Sequence, residues 1–170
     1  MSTAQSPSPS QPPPSMDAAA QPPRGKFNFW RWFWLGALVV GLAWAFYDFY
    51  VPANHVIWAK DYAAAQQLAA QSGKPVIIFF TGKWCVPCRI MKRQVWADKD
   101  VEAVVAARFT PVMIDVDDPN AAATVGHYGI RATPVIIITD AHEYVLQRVD
   151  KGLGKAEFLE LLGKVNPLNK

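Results

Sequence analysis

The chain has 170 residues and a formal net charge of +3, room for one compact domain plus additional segments. Basic and acidic residues are interspersed, which argues against a nucleic-acid-binding stripe. Its two cysteines are too few for a secreted disulfide framework or a four-thiolate zinc site, and the high hydrophobic fraction of 51% is unevenly spread.

Residues 1–26 begin MSTAQSPSPSQPPPSMDAAAQPPR and hold seven of the 14 prolines. Without an apolar period they cannot build a core, so this segment reads as a disordered, partly polyproline tail. Residues 27–51, FNFWRWFWLGALVVGLAWAFYDFYV, carry no charge between Trp32 and Tyr47 and have aromatics at both ends. Length and aromatic belts predict one transmembrane helix. Arg24, Lys26 and Arg31 precede it and only Asp48 follows closely, so the positive-inside rule puts the N-terminus in the cytoplasm and the rest of the chain outside. Ala43-Trp44-Ala45 also fits a signal-peptidase site. The long proline-rich lead and the second aromatic belt favour an uncleaved signal anchor.

Residues 52–170 read as a globular domain. Asp61 caps a helix that Gly73 and Pro75 end, and Val76–Phe80 (VIIFF) is a strand buried on both faces. A helix is expected from Cys85 to about Val95, and another behind Asp100. A second buried strand follows at Thr110–Asp117, then a helix from Pro119 ended by Gly126 or Gly129. Strands at Pro134–Asp140 and Glu143–Asp150 join through a tight turn at Ala141-His142, and an amphipathic helix from Lys155 closes the domain. Alternating helices and strands ending in a hairpin predict an α/β fold, a mixed sheet with helices on both faces.

Cys85 and Cys88 stand in TGKWCVPCRIMK, Thr81 to Lys92. Zinc or iron–sulfur ligation needs further ligands, but His55, His127 and His142 are scattered singly. Haem attachment needs His after the second cysteine, where Arg89 stands. A structural staple would close a tiny loop and stabilise little. A redox pair fits the context. The strand leads through a short turn to a helix start at Cys85, where unpaired backbone N–H groups stabilise a thiolate. Pro87 is tolerated in that first turn, and Trp84 is placed to shield the pair on one side.

Trp-Cys-Val-Pro-Cys after a buried strand resembles the thioredoxin superfamily, and Tyr128–Asp140 (YGIRATPVIIITD) is similar to the stretch in which that family places a cis-proline opposite its cysteines. The resemblance spans roughly residues 56–166 and implies the thioredoxin fold, with Pro134, preceded by Thr133, as the cis-proline. Within the superfamily, Lys74-Pro75, the cysteine motif, and Val95, Trp96 and Asp98 most resemble the exported domain of the bacterial membrane thiol–disulfide transporter, disulfide-bond protein D, and related membrane-anchored proteins.

The resemblance implies a thiol:disulfide oxidoreductase. Cys85 would attack a substrate disulfide and Cys88, less exposed, would resolve the mixed disulfide. Trp84, Thr133 and Pro134 would bind the substrate strand, with Val86 and Pro87 shaping the motif. No bound cofactor or metal is expected, since the electrons reside in the cysteines. Val86-Pro87 offers no charge or histidine to stabilise a thiolate strongly, which favours a reductant over a strong oxidant. The implied partners are disulfide-containing proteins and a membrane electron transporter, at a bacterial inner membrane with the redox domain in the periplasm.

Two other readings remain. One is a reductant dedicated to cytochrome c maturation, although the extra insertion and the Glu after the motif are not evident. The other is a Cu(I) metallochaperone using the thiolates with His127 or Met91. The chain also departs from the family at two positions. Phe79 stands where thioredoxins bury an Asp, and Pro111 falls where they often have Lys. Proton handling therefore rests on water or another group, with Asp115 and Glu102 as candidates that also read as a cap or a solvated side chain.

Overall fold

A computed structural model describes residues 29–165, and the expected tail over residues 1–26 lies outside the described residues. The chain has two units, one ending at Trp44 and one from Ala45 onward. Helix α1, Phe29–Phe49, has 21 residues, and its large apolar side chains are exposed. At about 1.5 Å per residue it reaches roughly 30 Å, the thickness of a bilayer's hydrocarbon core. Phe29–Tyr47 meets the length and composition of a membrane span.

The second unit contains α2 (Tyr62–Ser72), β1 (Val76–Thr81), α3 (Val86–Met91), α4 (Lys99–Arg108), β2 (Thr110–Asp115), α5 (Ala122–His127), β3 (Val135–Thr139), β4 (Val145–Val149) and α6 (Lys155–Lys164). The strands lie in the order β2-β1-β3-β4. β1 runs parallel to β2, with Ile78 opposite Val112, and antiparallel to β3, with Phe79 opposite Ile136. The expected mixed sheet with helices on both faces is therefore present. Alternation along β1 builds two cores. Ile77 and Phe79 join Met91, Trp96, Phe158 and Leu162 on the face covered by α3, α4 and α6. Val76, Ile78 and Phe80 join Ala65, Ala69 and Tyr128 on the other.

Local chemistry sets most boundaries as read. The Asp61 carboxylate accepts a 2.7 Å hydrogen bond from the Ala64 N–H, and Gly73 ends α2 at φ 68°, a conformation that costs glycine little. In α6 the Glu157 carboxylate reaches back to the Gly154 N–H at 3.2 Å.

Four boundaries differ from the sequence expectation. The cap of α4 is Asp98, not Asp100: its carboxylate accepts from the N–H groups of Asp100 and Val101, while Asp100 is already helical. The helix at the cysteines is not uniform. After Met91 it passes into a π-helical turn, Lys92–Trp96, whose wider winding lets the consecutive Val95 and Trp96 both bury. β2 stops at Asp115, whose side chain accepts from the Asp117 N–H and turns the chain. β4 begins only at Val145, because Asp140 draws the N–H groups of His142 and Tyr144 to its carboxylate and Glu143 takes φ 69°.

Candidate active site

Thr81 ends β1, and five residues later α3 begins with Cys85 as its N-cap. The Cys88 N–H donates to Cys85 Sγ at 3.2 Å, one of the groups a helix start leaves unpaired. The two cysteines form a disulfide, with their Cα atoms 5.2 Å apart. Their exposure is unequal. Cys88 is 1% exposed inside the core that holds Phe79, Met91 and Trp96, whereas Cys85 packs only against its edge. The outer thiol is thus reachable by a partner and the inner one is not.

The Thr133–Pro134 peptide bond is cis, as expected. A Cβ placed on Gly152 would lie 3.8 Å from both Pro134 and Pro87 and 4.0 Å from Met91. The cis-proline, the motif proline and the β4–α6 connection therefore meet at one point beside the disulfide. The Leu153 N–H donates to Met91 Sδ at 3.5 Å and ties that connection to α3. Thr133 borders the loop before the cysteines, its hydroxyl 3.7 Å from where a Gly82 Cβ would stand. Asp117 holds the same loop by accepting from the Lys83 N–H at 3.1 Å. An open depression beside Thr133 is lined by Val116, Val125, Ile130, Arg131 and Ala132.

Trp84 is 84% exposed, so it covers little of the pair and the expected shield is absent. Val86 and Ile90, one turn apart on the helix, are also exposed apolar side chains near the motif. Sequence reading did not single out Gly152, Ile90 or Asp117. Gly152 stands in Lys-Gly-Leu-Gly-Lys, where nothing marks a glycine as adjacent to the motif proline 65 positions earlier.

Phe79 is fully buried, its ring 5.4 Å from that of Trp96, so the position is purely apolar. Glu102 lies away from the cysteines in function: its carboxylate accepts from the His55 N–H at 2.7 Å and faces His55 Nδ1 at 3.4 Å. Burial pushes the Lys92 ammonium below the usual lysine range, and the Asp115 charge opposes that shift. For copper binding, Met91 is close but its sulfur accepts a backbone hydrogen bond. His127 is on α5, whose residues pack on the other sheet face. Among the described residues no cluster of three His, Cys, Asp or Glu side chains could hold a metal.

A family model described as thioredoxin-like matches residues 57–141. The chain is 32% identical over 76 residues to the thiol:disulfide interchange protein DsbD 1 of Pseudomonas aeruginosa, a match covering 44% of this chain and 13% of that protein. It is 30% identical over 105 residues to a thioredoxin of Pyropia yezoensis, covering 61% of this chain and 89% of that protein. Among solved structures, a thioredoxin from Thermus thermophilus superposes with a TM-score of 0.58 at 25% identity, over 64% of this chain and 85% of that one.

Proposed function

The chain belongs to the thioredoxin-like family of disulfide oxidoreductases and has the thioredoxin fold, and on that premise we propose that it is a membrane-anchored reductase of protein disulfides outside the cytoplasm. The observation that carries this reading is the asymmetry of the pair: a disulfide whose Cys85 borders the surface at a helix start while Cys88 is buried. In the reduced chain the Cys88 N–H that now meets Cys85 Sγ stabilises the attacking thiolate. Cys85 attacks a substrate sulfur, the substrate's other sulfur leaves as a thiolate, and a mixed disulfide forms. Cys88 then attacks Cys85, re-forms the internal bond and frees the reduced substrate.

The substrate strand lies along Thr133 and Pro134, with Trp84 and Val86 as the apolar border. Two features support reduction as the direction. Val86 and Pro87 place no charge between the cysteines, and the similarity to a protein named for thiol:disulfide interchange fits a domain handed electrons by a membrane transporter. Helix α1 supplies the anchor; the basic residues before its core and its span-length apolar stretch support an N-terminus in the cytoplasm and a redox domain in the periplasm.

The test uses the full chain in membranes. Cys88→Ser should accumulate mixed disulfides that thiol reagents release, and Cys85→Ser should trap nothing and reduce no insulin. A Cys85→Ser variant with full turnover would sink the proposal. For topology, alkaline phosphatase fused after residue 165 should be active; activity of a fusion at residue 28 instead would reverse the orientation.

A further inference from the structure

Resolution requires Cys88 to lose its proton inside the protein, and its neighbour Phe79 cannot accept one. Three polar groups lie on the same side of the sheet, at the end of β1 nearest the cysteines. Thr81 follows Phe79 by two residues and so shares its face. Thr81 is 2% exposed, and its hydroxyl has no hydrogen-bond partner among the described residues. A buried hydroxyl left unpaired is unfavourable and calls for a partner; Thr139 also carries such a hydroxyl, and Thr81 is the one at the cysteine end of β1. Directly opposite it in the ladder is Asp115, half-buried on β2 and on the same face as Met113, which packs against the Cys88 core. Lys92 feels the Asp115 charge. Its N–H donates to the Cys88 carbonyl, which puts it one turn beyond Cys88 on the same side of the helix. Lys92 also opens the π-helical turn, a distortion often found at functional sites.

We propose that Asp115 takes the proton from Cys88, with the Thr81 hydroxyl as the bridge, and that Lys92 stabilises the thiolate this leaves. The inference rests on the disulfide-exchange reading above. In the step, the Cys88 S–H bond breaks and its proton passes to the Asp115 carboxylate. The thiolate forms the Cys85–Cys88 bond as the bond from Cys85 Sγ to the substrate sulfur breaks. That sulfur leaves with the electron pair and is protonated by water. The substrate gains two electrons and the pair is oxidised. Asp115, partly open to solvent, then returns its proton to water.

Asp115 shares an open depression with Lys60, Asp61 and Asp118, of which Asp61 caps α2 and Asp118 accepts from Asn120; the following charges near the cysteines are engaged elsewhere. Asp117 accepts from Lys83 N–H. The Arg89 guanidinium lies 4.7 Å from the Phe49 ring centre, and Arg93 donates to the Tyr47 carbonyl at 2.7 Å. On the packed helices, Lys155 pairs with Asp98 and Asp100, Glu102 with His55, and Lys164 with Glu160. The depressed Lys92 pKa agrees with its placement, since burial penalises its ammonium.

The test is stopped-flow absorbance of the reduced, detergent-solubilised full chain mixed with 5,5′-dithiobis(2-nitrobenzoate) between pH 5 and 9. The first thionitrobenzoate released reports attack by Cys85, and the second reports resolution by Cys88. Lys92→Met should slow only the second phase, about tenfold at pH 7 for a one-unit rise in the Cys88 pKa, with the rates converging near pH 9. Asp115→Asn should slow the second phase at pH 7 without raising the Cys88 pKa, read by alkylation in a Cys85→Ser background. Lys92→Arg and Asp115→Glu should recover part of the rate, and the surface variant Glu160→Gln should match the parent. Second phases within twofold of the parent in both Lys92→Met and Asp115→Asn overturn the proposal, as does equal slowing of both phases, which marks a merely structural role. A parent chain with no first phase fails the exchange reading itself.

Discussion

Replacing Phe79 by Asp separates packing from charge in the core beneath the disulfide. Phe79 is fully buried and its ring sits 5.4 Å from Trp96, which in turn packs on Phe158 at 4.9 Å. A buried Phe removes about 200 Å² from water, or roughly 5 kcal/mol at 25 cal/mol per Å², and truncations of this kind cost about 3–5 kcal/mol. Lost packing therefore destabilises the variant by about 4 kcal/mol at any pH. The carboxyl adds a second cost that depends on pH. Burial raises its folded pKa above the unfolded value of about 3.9, so below that pH both states are protonated and the extra cost vanishes. It grows as pH rises towards the folded pKa and is constant above it. A rise of about two units gives roughly 3 kcal/mol more at neutral pH, at 1.36 kcal/mol per unit. The sum, about 7 kcal/mol, rivals the whole stability of many domains.

The measurement is urea denaturation of the detergent-solubilised full chain, followed by tryptophan fluorescence, at pH 4 and pH 7.5. Phe79→Asn serves as the uncharged partner. Relative to wild type, Phe79→Asp should lose about 2 kcal/mol more at pH 7.5 than at pH 4, where the unfolded carboxyl is already partly ionised, and Phe79→Asn should lose the same amount at both. If the two variants share one pH-independent loss, the site beside Cys88 is not the apolar enclosure argued for.

Three further outcomes are expected. At Gly152 an Ala makes only ordinary contacts with Pro134 and Pro87 at 3.8 Å and should leave insulin reduction near wild type, whereas Gly152→Leu should cut it severalfold while the melting temperature holds; equal activity of the two would remove this point from the substrate groove. Hydrogen bonding by Lys155, reinforced by the Val101 and Asp100 N–H groups, holds the Asp98 carboxyl below the usual range. Its stabilising effect is thus present above the unfolded pKa and lost as pH falls through the folded one, so the gap between wild type and Asp98→Asn should close in acid; a gap as large at pH 2 as at pH 6 would contradict the pairing. Gly73→Ala places a side chain at φ 68° with open space around it, so backbone strain alone should lower stability by about 1 kcal/mol, and a stabilised variant would refute the left-handed cap.

The elements legible in the sequence are those whose cause is local. Asp61 and Gly73 bracket α2 by their own chemistry, VIIFF announces a strand covered on both faces, and the cysteines and prolines of the motif mark the start of α3. Where two nearby residues offer the same chemistry, sequence does not choose between them. Asp98 and Asp100 can each cap α4, and the choice follows from burial of Trp96 just before it. The π-helical turn has the same origin, since no residue in Lys92–Trp96 forbids a regular helix and only the demand to bury Val95 and Trp96 together selects the wider one.

The site divides along the same line. Cys85, Cys88, Pro87 and Pro134 each carry a signal in their immediate neighbours, and the fold brings them together beside Gly152. Proton handling does not work that way. Thr81 and Asp115 are 34 residues apart and become neighbours only because β1 and β2 pair in the register that sets Ile78 against Val112. A shift of one residue would turn Asp115 to the opposite face and leave Thr81 beside an apolar side chain. Asp115 was a candidate from sequence because it is an acid at a strand end, and nothing there distinguished it from Glu102. The register does, by placing Asp115 across from an orphaned hydroxyl while Glu102 is engaged with His55. On the proposal above, a chain that replaces an acid by Phe79 inside the core moves proton transfer two residues along β1, to Thr81, and across the ladder to Asp115 on β2. There the sheet edge opens to water, and a half-buried carboxylate is desolvated less than one at Phe79 would be.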